Sequence, residues 1–395
     1  MASNDLNEAR KRVSEGTSPS EGHAECFLLH GTILPLYTFC KGQNCPNFLS
    51  KEPPEFFLNK LLQRWEEKNN RGLFHHDIAT CETKTLQGEY GFIVRLIEGR
   101  DIKKRPPEHG MGKVLQPFDA KMFNFTKIPS SEVICRFEES EQNITNFVDT
   151  APILTPDSVN IIAINVSPIG FGHILLIPRI FERFPQRMDI ESLLLSLYMA
   201  REAASLHFKI GYNSLGAFAT INHLHFQAFY LPMLLPAEKA STECIATLRL
   251  GVKILRLLRY PVRGFVFEGG SNLKDLAYVV SSTCTFLEVN NQPFNMLISD
   301  SGKRIFVFLQ RYAERRALGK VSQEMLDTQV NPAAWEISGY LVLKRRRDYE
   351  EASEQNICGF FAEVSISEKF QELQESILQV SKMNGKVTEK NLLDF

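Results

Sequence analysis

The chain has 395 residues, 44% of them hydrophobic and 23% charged, which excludes collagen-like, disordered and disulfide-scaffold proteins and leaves ample material for a buried core. Lys+Arg total 45 against Asp+Glu 46, so a net charge of −1 gives none of the clustered basic excess that nucleic-acid binding requires. The one short basic run, Lys344 to Arg347, meets Asp348, Glu350 and Glu351 directly and reads as a solvated face.

Residues 1–22 are polar and rich in Ser, Glu and Gly, and a disordered tail is expected there. The opening MASNDLNEARKRVSEG lacks the apolar core of a secretory signal, and no later stretch reaches the roughly 18 apolar residues of a membrane span. A soluble, cytoplasmic chain with reduced thiols is therefore expected, its eight cysteines scattered without a CxxC pair. From Pro54 to Asn69, Phe57, Leu58, Leu61, Leu62 and Trp65 recur at helical spacing. YGFIVRLI, Tyr90 to Ile97, predicts a strand. Glu98 to Pro117 then forms a long basic loop containing Arg100, Lys103, Lys104 and Arg105. Its Gly110-Met111-Gly112-Lys113 lacks the spacing and the hydroxyl residue of a phosphate loop, so the plain reading is a turn with solvated lysines, although such a loop could also line an anionic-substrate pocket.

Asn160–Val166 and His173–Ile177 are apolar runs joined by Ser167-Pro168-Ile169-Gly170-Phe171-Gly172, as in two adjacent strands. A helix is predicted from Asp189, which can cap it, to His207. A strand is predicted over Ala217–Leu231, a helical stretch from there to about Leu258, a strand at Arg263–Glu268 and a helix from Asn272 to about Leu287. Strands at Phe294–Ile298 and Arg304–Leu309 come next, then a terminal helix opened by a Ser365/Glu368 capping box. The mixture predicts an α+β fold with largely antiparallel strands.

Within Asn222-His223-Leu224-His225-Phe226-Gln227, three polar side chains fall at i, i+2 and i+4 and project from one strand face, while Leu224 and Phe226 enter the core. Such a row is costly to bury without partners and belongs beside a polar cleft; the plain alternative is satisfied histidines on a solvent-facing strand. The turn Asn213-Ser214-Leu215-Gly216-Ala217 feeds that strand and permits close approach of a ligand at Gly216. The remaining histidines show no ligand spacing with cysteine or carboxylate, so neither a metal nor another cofactor is expected.

The order Asn165-x-x-Pro168-x-x-x-Gly172-His173, helix, Asn/Gly turn, His223-x-His225-x-Gln227 resembles the histidine-triad superfamily, and Gln in the third position resembles its galactose-1-phosphate uridylyltransferase-like branch. Taken with GYNSLGAF, INHLHFQAFYLP, YPVRGFVFE and NQPFNMLI, the chain resembles the GDP-hexose phosphorylases over about residues 90 to 345, and more the animal branch acting on GDP-D-glucose than its plant relatives acting on GDP-L-galactose. The resemblance implies a histidine-triad-like antiparallel sheet with flanking helices, built as two halves: residues 23–250 catalytic, 251–350 a degenerate repeat without histidines that completes the sheet, and 351–395 helical. It implies that His225 attacks the α-phosphorus of GDP-glucose, that glucose 1-phosphate leaves, and that inorganic phosphate takes GMP from His225 to give GDP. A neutral imidazole is competent for such attack. Gln227 would hold phosphate oxygens without delivering a proton, His223 would orient the nucleophile, and His173 would serve its hairpin. Asn165 and Asn213 would contact the nucleotide and phosphate, Asn213 standing one residue closer to the histidines than in most triad proteins. No nucleic acid or membrane partner is implied, while a homodimer stays open. Other readings are a nucleotidylyltransferase or hydrolase of other nucleotide sugars, and a silent nucleotide-binding protein.

Overall fold

The structure is a computed structural model and describes residues 28, 30–41, 53, 55–100, 112–141, 144–154, 158–249 and 251–387, with side chains as far as 382. The tail expected over 1–22 lies outside these residues, as do 101–111 of the basic loop.

The strands in chain order are β1 (Ile33–Phe39), β2 (Thr83–Thr85), β3 (Ile93–Leu96), β4 (Val133–Glu139), β5 (Asn146–Pro152), β6 (Ile161–Ile164), β7 (Ile174–Ile177), β8 (Phe208–Asn213) and β9 (Phe226–Tyr230). They continue as β10 (Thr242–Thr247), β11 (Val252–Leu257), β12 (Gly264–Gly269), β13 (Phe294–Ser299), β14 (Arg304–Leu309) and β15 (Tyr340–Leu343). The long helices are α1 (Phe56–Asn70), α2 (Ile190–Ala203), α3 (Leu273–Val289) and α4 (Phe370–Val387). Local chemistry starts two of them: Asp189 accepts the Ser192 N–H ahead of α2, and Asn272 accepts the Asp275 N–H ahead of α3.

Twelve strands form one sheet in the order β10-β11-β12-β14-β13-β8-β9-β7-β6-β4-β1-β5. Two ββαββ units can be read in it. The first, β6 to β9 around α2, lies in the order β6-β7-β9-β8; the second, β11 to β14 around α3, repeats it as β11-β12-β14-β13. The units join through their third strands, antiparallel, with Asn213 opposite Asn295 and Ile210 opposite Ile298. The sheet contact expected between the two halves is therefore present. Every pair in the sheet is antiparallel except β1 with β4.

Period-2 alternation puts Leu176, Ile210, Phe226, Phe267, Met296 and Val307 on one face, where α1 to α4 cover them in the largest core cluster. On the opposite face the second unit is covered by a smaller sheet, β15-β3-β2, and by the helices Ala334–Ile337 and Glu354–Val364. At the other end of this face, Phe125 and Ile128 pack over Val133, Ile161 and Ile177. The predicted site residues lie between these two apolar covers.

Three expectations are corrected. The stretch to Leu258 is β10 and β11, not helix, because Thr242, Thr247, Val252 and Ile254 pair outward from β12 in an antiparallel ladder. The strand predicted over 217–231 is confined to β9, since Gly216 (φ 79°) and Phe218 (φ 70°) turn the chain in the left-handed region before it. The capping box does not form: Ser365 Oγ accepts the Arg263 N–H at 3.0 Å, and Glu368 lies 3.5 Å from Arg311. The strand expected over Tyr90–Ile97 is present as β3, and its parallel pairing with β15 joins segments far apart in the chain, which periodicity cannot reveal. Among the described residues no helix is long and apolar enough to cross a membrane.

One buried acid sets a pH dependence of the fold. Glu288, in the last turn of α3, accepts the Met188 N–H at 2.7 Å, and burial pushes its carboxyl up to about 8 from an ordinary 4.5. The unfolded chain thus releases this proton first, and stability falls as pH rises from about 4.5 to 8. Glu288→Gln keeps the accepting oxygen and does not titrate. It is expected to be more stable than the parent above pH 8, by on the order of 3–5 kcal/mol, with the difference vanishing near pH 4. Urea unfolding at the two pH values checks this, and equal gains at both would show that the carboxyl does not ionise with folding.

Candidate active site

Of the His-x-His-x-Gln row only Gln227 lies within β9, His223 and His225 preceding the strand; Leu224 and Phe226 enter the largest core cluster, while both histidines meet the Phe125 ring and Gln227 meets His173 and Trp335. His223 is completely buried, His225 is 5% exposed, and Gln227 is partly buried. His225 Nδ1 lies 2.8 Å from the carbonyl oxygen of His223. A carbonyl can only accept, so Nδ1 carries the proton and Nε2 carries the in-plane lone pair. That is the tautomer a histidine nucleophile needs.

His223 has the opposite arrangement. Its Nδ1 accepts the backbone N–H of Phe125 at 3.0 Å, which leaves its proton on Nε2. Nε2 has no hydrogen bond of normal geometry, although the Ile180 carbonyl is near enough to favour its proton electrostatically. Burial first, then the neighbouring His225 and Arg183, bring its pKa down to about 3. His223 is therefore neutral at physiological pH and contributes a carbonyl to His225 and a ring acceptor to the 116–125 segment. Asn222 anchors the same segment by donating to the Gln116 and Pro117 carbonyls at 3.2 and 2.8 Å. The Phe125 ring stands edge-on to His225 at 4.9 Å between centroids.

Gln227 is oriented by two donors. His173 Nδ1 accepts the Ile169 N–H at 3.1 Å, so its Nε2–H points to Gln227 Oε1 at 3.2 Å. The Trp335 indole N–H approaches the same oxygen at 3.4 Å. With its oxygen held by donors, the amide presents its NH2 on the other branch, which suits it to hold anionic oxygens. The Trp335 ring can reach because Gly211 lies opposite Gln227 on β8: a Cβ there would come within 3.0 Å of the indole.

Asn165 and Asn213 are both engaged with protein. Asn165 Oδ1 accepts the Ser167 N–H at 3.0 Å, and its Nδ2 faces the His173 Nε2 at 3.4 Å, a contact of two donors. Asn213 Oδ1 accepts from Asn295 Nδ2 at 2.6 Å and from the Ala334 N–H at 2.8 Å, so only its Nδ2 remains for a ligand. Gly216, buried in the turn after β8, is near the Asn295 bond to the Ala217 carbonyl. The hairpin 165–173 is braced from below by α1, whose Trp65 indole N–H donates to the His173 carbonyl at 3.1 Å.

Two residues were not legible in the sequence. Gln186, between β7 and α2, accepts the His225 N–H at 2.9 Å through Oε1 and donates through Nε2 to the carbonyls of Asn213 (2.9 Å) and His225 (3.1 Å). Its own N–H goes to Asn222 Oδ1 at 2.8 Å. It clasps the 222–225 segment to the end of β8. Trp335 comes from beyond the second unit, and its number relates it to nothing in the histidine motif. Among the described residues no group of three or more His, Cys, Asp or Glu is placed to hold a metal ion.

Comparison with known proteins agrees with this architecture. Models of the GDPGP1-like N-terminal and C-terminal domains match residues 56–229 and 236–384. The chain belongs to this family of GDP-hexose phosphorylases. It is 52% identical over 370 residues to GDP-L-galactose phosphorylase 2 of Arabidopsis thaliana, covering 92% of this chain and 85% of that protein. It is 29% identical to human GDP-D-glucose phosphorylase 1, covering 79% of this chain and 80% of that one. Yeast Ap4A phosphorylase Apa2 in complex with AMP shares the fold, with a TM-score of 0.53 at 14% identity over 80% of this chain and 97% of that one. Two expectations change. The family reaches α1 and most of α4, which the sequence resemblance left out, and the higher identity lies with the plant GDP-L-galactose enzymes, not the animal branch.

Proposed function

We propose that this chain phosphorolyses a GDP-hexose through a GMP-histidine intermediate. His225 Nε2 attacks the α-phosphorus; the bond from that phosphorus to the bridging oxygen breaks, and hexose 1-phosphate departs with the bonding electrons. The imidazolium formed shares its charge with Nδ1–H, which the His223 carbonyl already accepts. An oxygen of inorganic phosphate then attacks the same phosphorus, the P–N bond breaks, and GDP leaves with His225 neutral again. The leaving group is a stable anion and needs no proton, so a glutamine suffices where a poorer leaving group would need an acid. The observation that carries this reading is the 2.8 Å bond from His225 Nδ1 to the His223 carbonyl, which assigns the lone pair to Nε2.

The hexose we favour is L-galactose, on the 52% identity to enzymes named for GDP-L-galactose. GDP-D-glucose is the second reading, on the 29% relatives named for it. The test is incubation with each sugar nucleotide, with and without inorganic phosphate, resolving GDP, GMP and hexose 1-phosphate by chromatography. Phosphate-dependent GDP, formed faster from GDP-L-galactose, is expected. A faster reaction with GDP-D-glucose would reverse the preference, and GMP independent of phosphate would make the protein a hydrolase.

A further inference from the structure

The basic loop after β3 contributes one described cation to this region. Arg100 is partly buried, and its Nη2 donates to the Ser167 carbonyl at 3.1 Å. Its Nε is buried without a hydrogen-bond partner. Among the described residues no carboxylate lies within 4.0 Å of the guanidinium; Glu336 acts on it only at longer range. A guanidinium taken partly out of water without an ion pair is an unfavourable arrangement unless an anion completes it.

Two routes connect Arg100 with the partners of Gln227. On one side, Ser167 N–H bonds Asn165, whose amide faces His173, and His173 bonds Gln227. On the other, Glu336 is the next residue after Trp335, whose indole N–H is 3.4 Å from Gln227 Oε1. Arg100 is thus tied to the 165–173 hairpin, whose His173 is the hydrogen-bond partner of Gln227. Burial lowers its pKa, with the Glu336 carboxylate opposing.

We propose that Arg100, together with the Gln227 amide, binds the phosphate that leaves as hexose 1-phosphate and then its replacement, inorganic phosphate. This rests on the phosphorylase reading above. Both phosphates occupy the same position relative to the α-phosphorus, one as leaving group and one as attacking group, so a single cation serves both half-reactions. A guanidinium suits this because its fork can pair two phosphate oxygens at once.

The test uses the full chain and the variants Arg100→Lys and Arg100→Ala, with GDP-L-galactose and GDP-D-glucose. Without phosphate, hexose 1-phosphate release is read as a burst; phosphate is then titrated and the ratio of GDP to GMP measured. A burst of stoichiometric amplitude is expected in all three proteins, since His225 is intact, but it should be slower in the two Arg100 variants, whose leaving phosphate has lost its guanidinium. The phosphate concentration giving half-maximal GDP should rise about tenfold to a hundredfold in Arg100→Ala and less in Arg100→Lys. GMP should increase as water captures the intermediate. A burst with parental phosphate dependence and product ratio in both variants would overturn the role of Arg100. If Arg100→Ala fails to fold, Arg100→Lys decides by the same ratio. Absence of a burst from the parent protein would instead overturn the phosphorylase reading, and the assignment of Arg100 with it.

Discussion

Replacing His225 with alanine is expected to lower GDP formation by about 10⁴-fold or more, because no other described side chain holds a lone pair in the same position and the covalent route is removed as a whole. His223 cannot substitute. Its Nδ1 already accepts the Phe125 N–H, and its Nε2 carries the proton. The fold should survive, since the deletion removes a ring contact with Phe125 and one hydrogen bond to a carbonyl, while the Gln186 bonds to the His225 backbone remain. Denaturant unfolding should show a loss of about 1–2 kcal/mol. No radiolabel from a guanine nucleotide should remain on the denatured variant. Turnover at the parental rate would remove His225 from the mechanism.

Gln186→Leu is expected to be the most damaging change away from the reacting atoms. It leaves the N–H and carbonyl of His225 and the carbonyl of Asn213 buried and unpartnered, each at about 1–3 kcal/mol, so a loss of about 3–5 kcal/mol is expected. The imidazole would also lose its fixed bearing, and kcat should fall by about tenfold to a hundredfold with little change in KM. Gln186→Glu separates the two effects. It retains the acceptor for the His225 N–H but sets an oxygen against two carbonyls, so it should be repaired toward low pH as the carboxyl takes up a proton. Parental kcat in a folded Gln186→Leu protein would show that the clasp does not position the nucleophile.

Much of the first unit was legible because its residues repeat with period 2 or 3.6 over short distances. NIIAINV and HILLI became β6 and β7, the run after His225 became β9, and Asp189 and Asn272 cap the helices that they announce. The site was legible as a set of residue types, but not as a set of bonds. Asn213 carries a motif-like position, yet its oxygen is held by Asn295 and Ala334, which only the joining of β8 to β13 brings near. Gln186 and Trp335 have no local signature because each acts across the fold. The error at 233–258 has a related cause: Ala237, Lys239, Leu248 and Leu250 suit a helix, and only the open edge of β12 draws β11, and β10 after it, into the sheet.

The join between β8 and β13 bears on what counts as a part of this molecule. The family boundary falls between residues 229 and 236, so a fragment ending there would keep the histidine row and lose β13, Asn295, Trp335 and the second unit's cover. β8 would become an exposed edge, and the Asn213 oxygen would lose both its donors. Sequence divides the chain into two domains, whereas the hydrogen-bonded ladder makes them one cooperative body. The histidine-free half then supplies part of the interior around the histidine row.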